Sequence, residues 1–291
     1  MTIGVVGLGN MGGPIARVLA AGGFPVVGWD LFPGAGAAVA GSGVEIVDSI
    51  AALGVQCEIV LTSLPDGAAV RNVVLGDGGF ATARPSGLIV DLSTTSPDEA
   101  RSLRADLATR GWDFLDAPVS GGVAAAAAGT LTIMVGGDTD ALERARPVLA
   151  AISRKLVHCG SSGAGQVAKA CNQLIVMATI SAVAEVMVLA RSAGLDPAAV
   201  RDALMSGLAA SPILEMHGER MLRRDFEPGG MVKYNSKDIA AIRQLASEQH
   251  LRLPMFEAAA GQIEQLIEGW GGNVDNSAVV LVVERDAGLP A

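Results

Sequence analysis

The chain is short of positive charge, cysteine and histidine, and each shortage removes a class of function. Its 291 residues carry Lys+Arg 21 against Asp+Glu 30, a formal net charge of −9. That balance argues against nucleic acid or an anionic membrane as a partner, since both require a basic surface. Cys57, Cys159 and Cys171 are odd in number and far apart. They lack the spacing of a zinc site or redox motif, which reads as reduced thiols in a cytoplasmic protein. His158, His217 and His250 are scattered, so no metal site is expected. No G-x-S-x-G elbow or Walker lysine is present. No signal peptide is expected either, because Ile3 begins a buried-strand pattern directly. The stretch 170–190 is apolar over the length of a membrane span. Asn172, Gln173 and Glu185 interrupt it and no basic flank orients it, so it is expected to be a core helix.

What is present is a globular composition, with 50% apolar residues and length enough for two domains. A β-branched run from Thr2 leads into Gly7-Leu8-Gly9-Asn10-Met11-Gly12, and a helical pattern follows over 14–21. Glycines at this spacing allow a tight turn, close approach to a pyrophosphate and close helix packing, with the helix N-terminus aimed at the phosphates. A second strand, 25–29, ends at Asp30. That acid lies about 20 residues beyond the glycines, where an NAD ribose needs an acceptor and an NADP 2′-phosphate would be repelled. NAD is the expected cofactor.

Further strand patterns at 58–63, 88–92, 112–117 and 131–135 alternate with helical ones. The alternation implies an α/β, doubly wound, mainly parallel sheet that binds ligands beyond its carboxyl ends. Those ends carry Leu64-Pro65 and Ser93-Thr94, which either line the cofactor or are ordinary turns. Another end carries Ser120-Gly121-Gly122, whose unshielded amides and hydroxyl would cradle a carboxylate. The Ala124–Ala128 run reads as a short small-residue helix.

After Gly160 only helical patterns of 10 to 15 residues remain, which divides the chain into 1–160 and an all-α part, 161–291. Asp196 with Pro197, and Pro254, mark helix starts. Arg220, Arg223 and Arg224 read as a solvated helix end. Lys169, Asn172 and Gln173 share one face of an apolar helix. Lys169 could move a substrate proton from a buried position or could snorkel to solvent, and periodicity does not separate the two.

Four blocks then carry a resemblance covering almost the whole chain: GLGNMGGPIA at 7–16, DAPVSGGVAAAAAGTL at 116–131, GAGQVAKACNQ at 163–173 and KDIAA at 237–241. In this order and spacing the chain resembles the β-hydroxyacid dehydrogenase family. The resemblance implies a Rossmann domain and an all-helical domain joined by one long interdomain helix. It implies Lys169 as the catalytic lysine and Ser120, Gly121 and Gly122 as the substrate-carboxylate motif. Lys237 would lie near nicotinamide and substrate, and Thr94, Leu64 and Pro65 would be cofactor contacts. The order Lys-x-x-Asn-Gln, with Gln173 where many members have asparagine, is similar to the tartronate semialdehyde reductase branch. The expected activity is therefore NAD(H)-dependent interconversion of a small semialdehyde and its hydroxy acid, tartronate semialdehyde and glycerate first. A 3-hydroxyisobutyrate-type substrate and a non-catalytic nucleotide-binding module are the alternatives. The long apolar helix suggests a homodimer or homotetramer.

Overall fold

Short buried runs of branched residues build the sheet. In this computed structural model, which describes residues 1–289, strands and helices alternate. In order they are β1 (Ile3–Val6), α1 (Gly12–Ala21), β2 (Val26–Trp29), α2 (Pro33–Val39), β3 (Val44–Ile46), α3 (Ile50–Gln56), β4 (Ile59–Thr62), α4 (Gly67–Leu75), β5 (Gly87–Asp91), α5 (Pro97–Ala108) and β6 (Trp112–Asp116). There follow β7 (Val119–Ser120), α6 (Gly122–Ala128), β8 (Leu131–Gly136), α7 (Thr139–Ala151) and β9 (Ser153–Gly160).

The strands join in the order β3-β2-β1-β4-β5-β6-β8-β7, with β9 paired to β8. Pairing is parallel from β3 to β6, and antiparallel where β8 meets β6 and β7. Every residue of β1, β4 and β5 is buried, as strands covered on both faces must be. Side chains alternate between two apolar layers. Ile3, Val5, Ile59, Leu61, Leu88 and Val90 enter one, while Val6, Val60 and Ile89 enter the other with Trp112 and Phe114. This is the doubly wound fold the alternation implies. Its strand order reverses between β1 and β4, so the binding crevice lies beyond their carboxyl ends.

Three strands escape the sequence reading. β3 and β7 are very short, and β9 is mostly exposed, with charged Arg154 and Lys155 in its run. A strand covered on one side has no need of the continuous apolar pattern that marks its neighbours.

Two compact units result, the first being Met1–Lys169 and the second running from Ala170. The division falls inside α8 (Ala164–Ser192), beyond the composition change at Gly160. The reason is local: the first turns of α8 are hydrogen-bonded to residues of the strand ends.

The second unit holds the rest of α8 with α9 (Pro197–Met205), α10 (Pro212–Arg223), α11 (Asn235–Glu248), α12 (Pro254–Trp270) and α13 (Val279–Asp286). No strand occurs here among the described residues. The Asp196 side chain caps α9 by accepting from the Ala198 amide at 3.0 Å, with Pro197 in the first turn. By length and apolarity α8 could cross a bilayer. Its Met177, Ile180, Ala184 and Met187 instead pack with Leu214, Ile239, Phe256 and Ile263 in the core of this unit.

The arginines of α10 correct the solvated-end expectation in part. Arg223 is exposed and pairs with Glu219, one turn before it, at 2.7 Å. Arg224 instead reaches the buried Glu284 at 2.7 Å, and Arg220 bonds the Asp225 carbonyl and approaches Asp275 at 3.6 Å. Glu284 and Asp275 lie far along the chain from these arginines, where charge counting does not reach. All three cysteines are free thiols. Among the described residues no group of three His, Cys, Asp or Glu side chains is placed to hold a metal.

Candidate active site

The loop after β1 owes its shape to two glycines. Gly7 has φ +89, and a Cβ there would stand 2.3 Å from the Ser63 carbonyl oxygen. A Cβ on Gly12 would stand 1.8 Å from the Gly7 carbonyl oxygen. Gly9 differs, since a Cβ on it would meet nothing within 4 Å. Its missing side chain therefore leaves open space above the loop, as an approaching pyrophosphate requires. The N-terminus of α1 has no side-chain cap and no acidic residue in its first turn, so its dipole favours a bound anion. These features fit a dinucleotide.

Asp30, at the end of β2, accepts from the Leu8 amide at 2.7 Å and from the Phe32 amide at 2.8 Å. The carboxylate thus braces the glycine loop from across the sheet. Each oxygen has further acceptor capacity for a ribose hydroxyl. Leu64 and Pro65 follow β4, and the Leu64 amide donates to Ser93 Oγ at 2.9 Å. Thr94 comes next in that second strand-end loop. The structure therefore gathers Gly7–Gly12, Asp30, Leu64, Pro65 and the loop of Thr94 along the carboxyl ends of β1, β2, β4 and β5.

Beneath them lies a buried polar network that the sequence reading missed. Asp91 Oδ1 accepts from Thr62 Oγ1 at 2.8 Å and from the Ser93 amide at 3.0 Å. Burial pushes the Asp91 carboxyl up to about 6 against those two bonds, and nearby Asp116 adds to the rise. Asp116 is also raised by burial, opposed by amides including those of Gly163 and Gln166 at 2.7 and 3.0 Å. Those two bonds make Asp116 the cap of α8, supplied from the end of β6 rather than from the preceding residue. Gln166 completes the tie by donating to the Ser93 carbonyl at 2.9 Å and accepting from the Thr95 amide at 3.1 Å. Asp116 and Gln166 both stand within blocks that carry the family resemblance. A polar residue one helical turn before a candidate lysine was the available signal.

Lys169 is 9% exposed, and its Nζ donates to the Val119 carbonyl at 3.0 Å. The snorkelling alternative is thereby removed. Val119 precedes Ser120-Gly121-Gly122, where Gly121 and Gly122 have φ +124 and +68. A Cβ on Gly121 would stand 2.6 Å from the Ala125 Cβ, whereas one on Gly122 would meet nothing within 4 Å. An amine therefore lies one residue from a hydroxyl and from a glycine pair that is open at Gly122. The arrangement can hold a carboxylate and exchange a proton with a neighbouring oxygen.

In the second unit Asn172 and Gln173 continue along α8. Asn172 Nδ2 donates to Gln173 Oε1 at 2.9 Å, and Gln173 Nε2 donates to Asp238 Oδ2 at 2.6 Å. Asp238 is buried in the first turn of α11, next to the half-buried Lys237. The loop before α11 is pinned by Asp275, whose Oδ2 accepts from the Gly229 and Gly230 amides at 3.1 and 3.0 Å.

Known families match the chain in two parts that meet just after Gly160. Residues 2–160 match the family described as the NAD binding domain of 6-phosphogluconate dehydrogenase. Residues 163–283 match the family described as NAD-binding of NADP-dependent 3-hydroxyisobutyrate dehydrogenase. The chain is 37% identical over 285 residues to 2-hydroxy-3-oxopropionate reductase of Escherichia coli, covering 98% of this chain and 97% of that one. It is 35% identical over 290 residues to 2-(hydroxymethyl)glutarate dehydrogenase of Eubacterium barkeri, covering 99% and 96%. Among solved structures, Mycobacterium tuberculosis 3-hydroxyisobutyrate dehydrogenase with L-serine superposes with a TM-score of 0.88 at 35% identity, over 97% of this chain and 98% of that one.

Proposed function

The chain belongs to the β-hydroxyacid dehydrogenase family, and from that premise we propose that it interconverts tartronate semialdehyde and glycerate with NAD(H) as the preferred cofactor. It is an oxidoreductase of small hydroxy acids. The observation that carries the reaction is the buried Lys169 amine, held at the Val119 carbonyl beside the Ser120-Gly121-Gly122 turn.

In this reading Ser120, Gly121 and Gly122 bind the substrate carboxylate. Lys169 gives a proton to the aldehyde oxygen on reduction and takes it back on oxidation. Asn172 binds the substrate hydroxyl, with Gln173 beside it, and Lys237 adds positive charge near the nicotinamide and carboxylate. Gly7 to Gly12 (with Leu8, Asn10 and Met11), Asp30, Leu64, Pro65 and Thr94 hold the dinucleotide. The bound nicotinamide supplies or accepts the hydride. Support for NAD comes from Asp30, a carboxylate where an NADP 2′-phosphate would sit. Relatives of similar identity carry different substrate names, so the pair rests on the Asn172-Gln173 sequence. Ile175 and Leu189 are exposed on α8, which supports a homodimer or homotetramer, measurable by light scattering.

The test is NADH oxidation with tartronate semialdehyde and with methylmalonate semialdehyde at matched concentrations. The first should react with the higher kcat/KM. Preference for the second moves the assignment to a 3-hydroxyisobutyrate-type substrate. Lys169→Ala should lower kcat by about 10²–10⁴, and near-full turnover in that variant would refute the assigned role.

A further inference from the structure

Asn172, Gln173 and Asp238 form a directional chain of hydrogen bonds within the second unit, and only its last member has a fixed sense. A carboxylate accepts hydrogen bonds and has no hydrogen to give. Asp238 therefore obliges Gln173 to turn its Nε2 inward, as the 2.6 Å contact records. With Nε2 engaged, Gln173 offers Oε1 to its neighbour, and Asn172 must present Nδ2 to it, at 2.9 Å. Either amide alone could be rotated by half a turn at little cost. Joined to a buried carboxylate, neither can be.

The consequence lies at Asn172. With Nδ2 turned to Gln173, its Oδ1 is on the opposite edge of the amide, facing away from that neighbour. The two amide dipoles are aligned head to tail with the carboxylate, an arrangement that polarises each successive carbonyl. Asn172 is thus presented as an acceptor.

We infer that Asp238 and Gln173 are positioning residues that hold Asn172 Oδ1 as a hydrogen-bond acceptor for the C2 hydroxyl of the substrate. The inference rests on the proposed role of Asn172 and adds a specificity rule to it. Tartronate semialdehyde and methylmalonate semialdehyde differ only at C2, where one has a hydroxyl and the other a methyl. A hydroxyl can donate to Oδ1; a methyl leaves it unmatched, and a site built for a hydroxyl rejects an analogue without one. The glutamine that follows Asn172 then has a physical meaning. Glutamine is long enough to reach Asp238 and has both the donor and the acceptor needed to pass its direction on.

The experiment pairs a kinetic ratio with a spectroscopic readout that needs no substrate. The ratio is kcat/KM for tartronate semialdehyde over methylmalonate semialdehyde. Gln173→Glu sets two carboxylates against each other, and Asp238→Asn lets the chain reverse. Each should lower the ratio by about tenfold or more. In the double variant Gln173→Glu/Asp238→Asn, donor and acceptor exchange places at the inner joint, while the new carboxylate still accepts from Asn172. The ratio should recover toward the wild-type value, although charge has moved and no group has been restored. A role in stability alone would give no such recovery.

Independently, the side-chain amide spectrum of the wild-type protein should show a Gln173 proton displaced downfield, and Asp238→Asn should abolish the displacement. An undisplaced proton refutes the relay even where the variants do not fold. Single variants that keep the ratio while Asn172→Ala collapses it also refute the relay, leaving the role of Asn172 intact. If Asn172→Ala itself keeps the ratio, the hydroxyl contact fails and the specificity rule with it, whatever the spectrum shows.

Discussion

Replacing Asp91 by asparagine should stabilise the protein at neutral pH, by an amount that shrinks on acidification. The Asp91 carboxyl is 1% exposed, and burial raises it from 3.8 to about 6. Between those values the folded protein holds a proton that the unfolded chain has released, so stability falls as pH rises. A shift of roughly two units corresponds to about 3 kcal/mol, fully developed above pH 7 and about half as large at pH 5. Asparagine has the same shape, and its Oδ1 can keep the bonds from Thr62 Oγ1 and the Ser93 amide. It carries no charge to desolvate. Urea unfolding of both proteins across pH 5 to 8, without cofactor, should show a variant advantage that grows with pH. An advantage independent of pH, or a variant less stable at pH 8, would refute the argument.

Asp275 should behave in the opposite sense. Burial opposes its charge, but the nearby His217, Ser277 and the Gly230 amide outweigh burial and hold the carboxyl well below the usual range. Asp275→Asn should cost about 2–4 kcal/mol at pH 7. That difference should persist down to the unfolded value near 4 and fade below it, as pH falls toward the depressed folded value, which thermal melts at several pH values would check. Gly12→Ala should destabilise the first unit by about 1–3 kcal/mol or more, because the new methyl meets backbone. Gly9→Ala should leave the melting temperature nearly unchanged, since its Cβ enters open space, yet weaken NADH binding by calorimetry. Equal effects from both glycines would contradict the division between packing and cofactor approach. Asp30→Asn should narrow the NADH over NADPH preference by about tenfold; an unchanged ratio of dissociation constants would remove Asp30 from cofactor choice.

Local chemistry was legible in the sequence wherever a position answers to its immediate neighbours. Gly7 and Gly12 announce a turn that no side chain can make, and the structure places backbone oxygens where their Cβ atoms would be. The runs at Ile3–Val6 and Ile59–Thr62 announce strands buried on both faces. Asp196 before Pro197 announces a helix start. Edge strands were harder, because β9 satisfies one side only and mixes Arg154 and Lys155 into its run. The Lys169 alternatives stayed open for a related reason. Helical periodicity reports which face a residue occupies, not whether anything covers that face.

What the sequence by itself determined was the nucleotide-binding half, the helical half, and the residues from which a hydroxy-acid site is proposed. Tertiary structure decided how those residues are held. Asp116 caps α8 from 47 and 50 positions away, and Gln166 bridges to Ser93 across 73. Asp238 reaches Gln173 across 65, and Asp275 pins Gly229 and Gly230 across 46 and 45. Burial and hydrogen-bond partnership are properties of neighbours in space, and they alone give Asp91 and Asp275 opposite responses to acid. A sequence records the identity of each carboxyl; the fold supplies the desolvation and the donors that decide its charge.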